Sequence, residues 1–178
     1  MAAPVYILGL SAYYHDAAAC LIRDGRILAA AQEERFSRRK NDERFPRHAI
    51  DYCLRYGGIG PSQLAVVVFY DKPILKFTRM LESYLAVAPH GWGTFVRILP
   101  TWFSEKLDLR KTIRAEIADL PAGVQILFTE HHQSHAAAAF YPSPFKEAAI
   151  VTCDGVGEWA TTTIGEGHGT RIRLLKEL

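Results

Sequence analysis

Two histidines four residues apart, His131 and His135, have the spacing of a pair of metal ligands. On a helix this spacing projects both imidazoles from one face, where they can bind a single metal ion. Asp154, 19 residues further along at a predicted strand end, would add a carboxylate oxygen. Such a set suits iron, manganese or zinc and does not distinguish among them. The spacing alone more often belongs to structural histidines, so both interpretations stay open.

A second candidate lies at 10–19, where small residues surround Tyr14, His15 and Asp16 between two predicted strands. Backbone amides in such a turn can approach a phosphate, and His15 could act as a general base or as a donor to a carbonyl or phosphate. Ordinary turn chemistry explains His15 and Asp16 equally well. The sequence contains neither a P-loop pattern nor a dinucleotide-binding glycine pattern, so neither nucleotide motif is predicted.

Two glycines bracket the turn that follows Asp154. Gly155 and Gly157 would let the backbone approach a phosphate closely, although a hairpin turn accounts for them as well. Lys40 ends a run of mixed charge at 33–40, which favours a solvated or small-anion-facing segment over a nucleic-acid arm. Lys40 and Arg38 are therefore candidates for contact with an anionic substrate, and a solvated face explains them equally well.

The elements that would position these residues alternate between strands and helices. Apolar runs and turn signals predict strands at 5–10, 17–23, 26–31, 64–70, 124–129, 148–153, 158–165 and 171–175. Helical spacing, with glycine and proline stops, predicts helices at 46–57, 75–87, 93–99, 102–117 and 131–140. The run at 64–70 is apolar throughout, which is typical of a central strand covered on both faces. Together these elements predict a layered α/β or α+β fold.

Three segments carry further expectations. Residues 72–120 hold helical spacing without a strand signal, which favours an amphipathic helical insertion that packs on the sheet or on a partner chain over one that binds a membrane. Asp24 and Gly25 predict a tight hairpin turn. The glycine-rich segment 165–169 predicts a flexible turn.

Composition excludes several classes of protein. Lys and Arg total 21 against 19 Asp and Glu, a net charge of +2, which is too balanced to indicate a nucleic-acid binder. Cys20 and Cys153 lie in apolar strand-like runs, and with Cys53 they predict small buried hydrophobes in a reducing compartment, not disulfides or zinc ligands. Neither a signal peptide nor a membrane-spanning stretch is readable, so we expect a cytoplasmic protein.

These motifs, taken in their order along the chain, resemble a known family, the nodulation and antibiotic O-carbamoyltransferases. The resemblance covers essentially the whole chain. It rests on Leu8-Gly9-Leu10 with Tyr14-His15-Asp16-Ala17-Ala18-Ala19, Glu33-Glu34-Arg35-Phe36-Ser37-Arg38-Arg39-Lys40, the insertion from Lys76 to Leu107, Glu130-His131-His132-Gln133-Ser134-His135-Ala136-Ala137, Tyr141-Pro142-Ser143-Pro144-Phe145, and Asp154-Gly155-Val156-Gly157-Glu158.

The resemblance implies an actin-like ATPase fold of the ribonuclease-H-like kind, with a helical insertion at about 72–120. It also implies that carbamoyl phosphate and ATP give a carbamoyl-adenylate, from which the carbamoyl group passes to a hydroxyl of a small-molecule acceptor, a natural product or an oligosaccharide. A divalent metal, with Fe²⁺ favoured, would be held by His131, His135 and Asp154. His15 and Lys40 would be the catalytic residues, and Gly155 and Gly157 would contact the cofactor.

Family members run to several hundred residues, so we expect this chain to cover the N-terminal part of the actin-like domain and to be inactive alone. The remaining half would then come in cis or as a separate chain, and self-association through exposed surfaces is a further expectation. A non-catalytic scaffold of the same lineage is the alternative. A tRNA-modifying protein of the related fold is disfavoured by the balanced charge. We expect no nucleic-acid or membrane partner.

Overall fold

The computed structural model describes residues 3–101, 108–155 and 159–178. The chain divides into two compact units. Unit 1 comprises 1–70 and 109–128, and unit 2 comprises 71–108 and 129–178. Each unit is built on its own β-sheet, with helices supplied by the segments between strands.

The sheet of unit 1 has five strands in the order β3-β2-β1-β4-β5. Its strands are β1 (Tyr6–Ser11), β2 (Ala18–Arg23), β3 (Arg26–Gln32), β4 (Leu64–Phe69) and β5 (Gln125–Phe128). Strand β2 runs antiparallel to β1 and β3, whereas β4 runs parallel to both of its neighbours. This mixed sheet with helices confirms the predicted α/β class.

Alternating apolar residues explain why one face of this sheet forms the core of unit 1. Leu8, Leu21 and Val67 are completely buried, and each comes from a different strand. Asp24 and Gly25 both adopt positive φ, as a two-residue hairpin turn requires, so the predicted turn is confirmed. Strand β4 is central as predicted: Val67 and Phe69 are buried on one face, and Val66 and Val68 are half-buried on the other.

Three helices complete unit 1, namely α1 (Glu34–Ser37), α2 (Arg47–Gly57) and α5 (Leu109–Glu116), and a short 3₁₀ turn spans Pro61–Gln63. Helix α2 ends at Gly58, whose left-handed φ allows its N–H to bond the carbonyls of Arg55 and Leu54. The carboxylate of Glu33 accepts hydrogen bonds from the backbone N–H groups of His48 (3.3 Å) and Ala49 (2.9 Å) at the start of α2. Glu33 is therefore a buried helix cap, which corrects the predicted solvated segment at that residue.

Two loops of unit 1 are joined by backbone hydrogen bonds. The β1–β2 turn donates from Tyr13 N–H to the Glu43 carbonyl (2.7 Å) and from Ala17 N–H to the Asp42 carbonyl (2.8 Å). Four residues with positive φ that are not glycine lie in these loops: Tyr13, Asp16, Arg38 and Asn41. Left-handed conformations at such residues cost free energy and persist only where neighbouring contacts hold them. The two loops therefore support each other.

The predicted helical insertion is helical wherever the structure describes it, but it is shared between the units. Helices α3 (Pro73–Val87) and α4 (Trp92–Thr101) belong to unit 2, whereas α5 belongs to unit 1. Tyr84 of α3 stacks on Phe95 of α4 with ring centroids 4.2 Å apart. Helix α4 continues through Pro100, where we had predicted its end, and the start of the helix predicted at 102–117 lies outside the described residues.

Unit 2 contains a three-stranded antiparallel sheet of β6 (Glu147–Cys153), β7 (Thr162–His168) and β8 (Arg171–Glu177), covered by α6 (His131–Phe140). The strand predicted at 158–165 begins later, at Thr162. The flexible turn predicted at 165–169 is wrong, because 165–168 belong to β7. A Cβ at Gly167 would lie 2.6 Å from the Phe140 ring, so this glycine provides a close approach between helix and strand.

The three cysteines are free thiols, and only part of the prediction for them is confirmed. Cys53 is buried, and burial raises its pKa to about 11. Cys20 is half-buried, and burial raises its pKa as well. Cys153 is exposed, which corrects the prediction of a buried hydrophobe, because its side chain projects from the face of β6 that α6 leaves uncovered. Within the described residues, no helix has the length and apolar character needed to cross a membrane.

Candidate metal centre

Helix α6 brings the two histidines of the predicted pair together. It starts at His131, directly after Glu130 in extended conformation, and its alanine-rich second half favours helix until Phe140. His131 and His135 lie four residues apart on this helix, so their rings project from neighbouring positions on one face. The ring centroids are 4.7 Å apart and nearly perpendicular. The predicted helix over the histidine segment is confirmed.

Three side chains converge at this face. The Nε2 atoms of His131 and His135 are 3.1 Å apart. Asp154 Oδ2 contacts His131 Nε2 and lies 3.5 Å from His135 Nε2. One potential ligand atom from each of the three residues lies within 4.8 Å of the other two. Asp154 follows His135 by 19 residues and His131 by 23, yet its carboxylate oxygen lies beside both imidazole nitrogens.

Two of the three separations fit the donor set of one metal ion, whereas Asp154 Oδ2 and His131 Nε2 are in direct hydrogen-bond contact. Two donors that each lie about 2.1 Å from an ion are about 3.0 Å apart at right angles and about 3.4 Å apart in a tetrahedron. The separations of 3.1 Å and 3.5 Å measured from His135 Nε2 are close to these values. Two imidazole nitrogens with one carboxylate oxygen suit a borderline divalent ion such as Fe²⁺ or Zn²⁺. The residues present therefore fit the metal that the sequence predicts, and metal binding itself stays a prediction.

The protonation state of His131 favours ligation. Burial lowers the pKa of His131 below its ordinary value, and its hydrogen bond with Asp154 opposes this effect. The imidazole is therefore held neutral at pH 7, which is the form that binds metals. His131 is 7% exposed, whereas His135 is 51% exposed and Asp154 is 30% exposed. The donor set is thus anchored by a buried histidine and reached by solvent from the side of His135.

A charged pair that the sequence analysis missed lies close enough to act on His131. Asp71 is buried and forms an ion pair with Lys76, and the charges of both residues affect the pKa of His131 in opposite directions. A second pair joins Lys72 to Glu130 at 2.8 Å. Asp71 comes directly after the strand predicted at 64–70, just as Asp154 comes directly after the strand predicted at 148–153. A carboxylate at the end of a predicted strand was therefore the signal that could have identified it.

His132, between the two candidate ligands, has a different role. It is buried, and its Nε2 lies 2.7 Å from the Ala160 carbonyl while its Nδ1 lies 2.7 Å from Thr152 Oγ1. Thr152 Oγ1 is in turn 2.6 Å from Thr163 Oγ1. Both ring nitrogens of His132 are occupied by hydrogen bonds, one to Thr152 of β6 and one to the segment that precedes β7, so His132 does not belong to the candidate donor set.

The two predicted cofactor-binding glycines can be compared with the structure only in part. Gly155 is exposed, and a Cβ added there would meet nothing within 4 Å, so space for a ligand exists beside it. Gly157 lies outside the described residues. The backbone N–H of Asp154 donates to the Thr161 carbonyl at 2.8 Å, which fixes the start of the segment that carries Gly155.

The predicted catalytic residues lie on the two joined loops of unit 1. His15 is 60% exposed, and its Nδ1 lies 2.8 Å from Asp16 Oδ2. Lys40 is exposed in the loop that follows α1. The hydrogen bonds from Tyr13 and Ala17 to the loop at 42–43 bring the segments of His15 and Lys40 side by side within unit 1. The two loops are therefore in contact, and the catalytic role of His15 and Lys40 stays a prediction.

Fold and site together define an α/β protein with two compact units and a candidate metal centre of two histidines and one aspartate. Residues 6–177 match the family described as the carbamoyltransferase N-terminus. The chain belongs to this family, as the resemblance of its motifs indicated.

Relatives of known sequence support the same assignment. The protein sll1178 of Synechocystis is 50% identical over 175 residues, which cover 94% of this chain and 28% of that protein. The nodulation protein NolNO of Sinorhizobium fredii is 34% identical over 163 residues, which cover 92% of this chain and 23% of that protein. The chain thus spans about a quarter of the length of these relatives. The solved structure of YeaZ from Pseudomonas aeruginosa resembles 97% of this chain and 65% of its own, with a TM-score of 0.45 and 12% identity.

Proposed function

We propose that this chain forms the metal-holding part of a carbamoyltransferase of the actin-like class. In the proposed reaction, carbamoyl phosphate and ATP give a carbamoyl-adenylate, and the carbamoyl group is transferred to a hydroxyl of a natural product or an oligosaccharide. Family membership supports the carbamoyl transfer. The convergence of His131, His135 and Asp154 is the single observation that supports a site at particular residues.

His131, His135 and Asp154 would hold a divalent ion, with Fe²⁺ favoured. The ion would supply positive charge next to the carbonyl and phosphate oxygens of the carbamoyl donor. Burial of His131 keeps one ligand neutral and fixed, while the exposed ring of His135 leaves that side of the centre accessible to a substrate. Gly155 and Gly157 would allow the backbone to approach the donor's phosphate.

His15 would act as the base for the acceptor hydroxyl. Asp16 Oδ2 lies 2.8 Å from His15 Nδ1, so a proton on Nδ1 is held by the carboxylate and Nε2 becomes the basic nitrogen. This arrangement orients the imidazole in the way that a carboxylate orients a catalytic histidine elsewhere. Lys40, from the adjoining loop, would add a positive charge for the anionic donor.

The test is a metal titration of the 178-residue chain with Fe²⁺ under anaerobic conditions and with Zn²⁺. We expect about one equivalent to bind, because the three donors converge on one point. His131→Ala, His135→Ala and Asp154→Asn should each weaken binding by more than the roughly 10–100-fold typical of outer-shell changes.

His168→Ala is the matched control. His168 is an exposed histidine of unit 2 that lies near Glu147 and Glu166, so it has the same residue types around it without the convergence. We expect its removal to leave metal affinity unchanged. Absence of binding to the unaltered chain, or an equal loss in His168→Ala, would contradict the proposed site.

A further inference from the structure

Helix α6 and strand β6 are joined by two polar contacts that lie side by side. His131 contacts Asp154, and the adjacent His132 contacts Thr152 at 2.7 Å. Thr152 and Asp154 are two residues apart along extended chain, so both side chains project toward the helix. A shift between α6 and β6 that breaks one contact therefore breaks the other.

The proton positions in the second contact follow from the partners of His132. The Ala160 carbonyl can only accept, so His132 Nε2 carries the proton and donates to it over 2.7 Å. His132 Nδ1 is then an acceptor, and the Thr152 hydroxyl donates to it. That hydroxyl in turn accepts from Thr163, whose oxygen is 2.6 Å away on the neighbouring strand β7. Each hydrogen bond in this buried series therefore has a defined donor and acceptor.

The same ring also holds both ends of the segment that carries Asp154. Thr152 precedes Asp154 by two residues, and Ala160 follows it by six. His132 contacts the first through Nδ1 and the second through Nε2. Since His132 and His131 are neighbours on α6, the helix that presents two of the donors also fixes the chain on either side of the third.

We propose that His132 is a positioning residue for the metal centre, acting through Thr152 and Ala160 to hold Asp154 opposite His131 and His135. This inference rests on the proposed metal site. It adds a requirement beyond the three donors. The separations of 3.1 Å and 3.5 Å from His135 Nε2 to His131 Nε2 and Asp154 Oδ2 depend on the alignment of α6 with β6. The hydrogen bonds that link His132, Thr152 and Thr163 set that alignment.

The test compares Zn²⁺ affinity, by competition with a chromogenic chelator, in Thr152→Val, Thr152→Ser and His132→Phe chains. Thr152→Val removes the hydroxyl with little change of shape, and we expect metal affinity to fall about 10–100-fold. Thr152→Ser restores the hydroxyl and should bind as the unaltered chain does. His132→Phe keeps a buried ring and should weaken binding at least as much, and adding Thr152→Val to it should have little further effect.

A spectrum separates positioning from general loosening. Bound Co²⁺ should show altered visible bands in Thr152→Val, because the arrangement of its ligands changes, and normal bands in Thr152→Ser. Phe140→Leu is the control, since Phe140 packs at the opposite end of α6 and its truncation loosens the same helix away from the ligands. We expect its metal affinity and Co²⁺ spectrum to stay near those of the unaltered chain.

Two results would overturn the inference while leaving the metal site intact. Thr152→Val could bind Zn²⁺ as tightly as the unaltered chain, or Phe140→Leu could lose as much affinity as Thr152→Val does. Failure of the unaltered chain to bind Zn²⁺, Co²⁺ or Fe²⁺ would instead overturn the proposed function, and this inference with it.

Discussion

At the scale of single residues, chemically identical side chains take opposite roles according to what surrounds them. His131 and His132 are adjacent and both buried, yet the Nε2 of His131 faces Asp154 and His135, whereas both nitrogens of His132 bond to Thr152 and Ala160. Their difference of about 100° around the helix accounts for this division. The spacing of His131 and His135 predicted the pair correctly, but nothing in the sequence predicts the role of His132.

A second buried polar residue, Asp42, is expected to make stability depend on pH. Arg44 donates to both of its carboxylate oxygens, at 2.9 Å and 2.6 Å, and this hydrogen bonding, with a further contribution from Ser37, holds the pKa of Asp42 well below its usual range. A carboxyl whose pKa is lower in the folded chain stabilises it above the unfolded-state pKa of about 4, and this stabilisation is lost as the pH falls below that value.

The prediction is tested with Asp42→Asn, compared with Asp51→Asn on an exposed position of α2. We expect Asp42→Asn to lower the urea midpoint of unfolding at pH 7 and to differ less from the unaltered chain at pH 3, where the Asp42 carboxyl of the unfolded chain becomes protonated and the unfolded state is favoured. Asp51→Asn should have little effect at either pH. A deficit for Asp42→Asn that stays constant from pH 7 to pH 3 would contradict the argument.

At the scale of elements, helix α2 depends on a cap supplied from outside the helix. Pro46, the N-cap residue of α2, offers no side-chain hydrogen bond. The Glu33 carboxylate accepts hydrogen bonds from the amides of His48 and Ala49 instead. Glu33→Gln leaves one acceptor oxygen for two amides, so we expect a loss of about 1–3 kcal/mol in the free energy of unfolding. Urea denaturation followed by circular dichroism measures it.

The control for this cap is Glu43→Gln in the neighbouring loop. Glu43 is exposed, and it accepts a hydrogen bond from Tyr13 through its backbone carbonyl, which the substitution leaves in place. We expect a change within about 0.5 kcal/mol for this surface substitution. Equal stability of the Glu33→Gln and Glu43→Gln chains would show that the carboxylate does not cap α2.

A second prediction at this scale concerns the contact of α6 with β7. A Cβ at Gly167 would lie 2.6–2.7 Å from three atoms of the buried Phe140 ring, so Gly167→Ala forces the helix away from the strand. Overpacking of this kind costs about 1–3 kcal/mol. We expect thermal unfolding at a lower temperature, whereas metal affinity should stay near that of the unaltered chain, because Phe140 lies at the end of α6 opposite His131 and His135.

Gly93→Ala gives the comparison. Gly93 lies inside α4, also in unit 2, and a Cβ there would meet nothing within 4 Å. Because Gly93 is the second residue of α4 and has no close neighbour, this change should alter the free energy of unfolding by less than about 0.5 kcal/mol. If Gly167→Ala were as well tolerated as Gly93→Ala, the close approach of Phe140 to β7 would not be a constraint on the fold.

At the scale of the whole molecule, the chain has two compact units, and all three candidate ligands belong to unit 2. A ligand that binds only the folded form stabilises whatever structure is needed to bind it, by an amount set by its concentration relative to Kd. We therefore expect Zn²⁺ to slow hydrogen exchange at α6, β6 and β7 and to leave β1–β4 of unit 1 unchanged.

Exchange measured by mass spectrometry with and without Zn²⁺ tests this prediction, and the Asp154→Asn chain provides the control in which protection should be absent. Equal protection of strands in both units would contradict the assignment of the donor set to unit 2. Protection that persists in Asp154→Asn would place the ion elsewhere.

Features set by residues close in sequence could be predicted, whereas features set by contacts between distant residues could not. The hairpin at Asp24 and Gly25, helix α2 with its stop at Gly58 and the helix that carries His131 and His135 are set by local propensity, and all were predicted correctly. The segment at 165–169 was predicted as a turn because glycine is frequent in turns. Glycine also occurs in strands where another group approaches the backbone closely. In β7, Gly165 admits the backbone of the adjacent strand β8, and Gly167 admits the Phe140 ring, which is distant in sequence.

The sequence by itself determined the α/β class, most of the strands and helices, and the identity of the three candidate ligands, because periodicity, turn residues and ligand spacing are local properties of the chain. Only the tertiary structure decided that β4 lies between β1 and β5, that Glu33 caps α2 across 15 residues, and that His132 reaches Thr152 and Ala160. These contacts join residues distant in sequence, and the packing of helix on sheet, rather than any local preference, selects the partners.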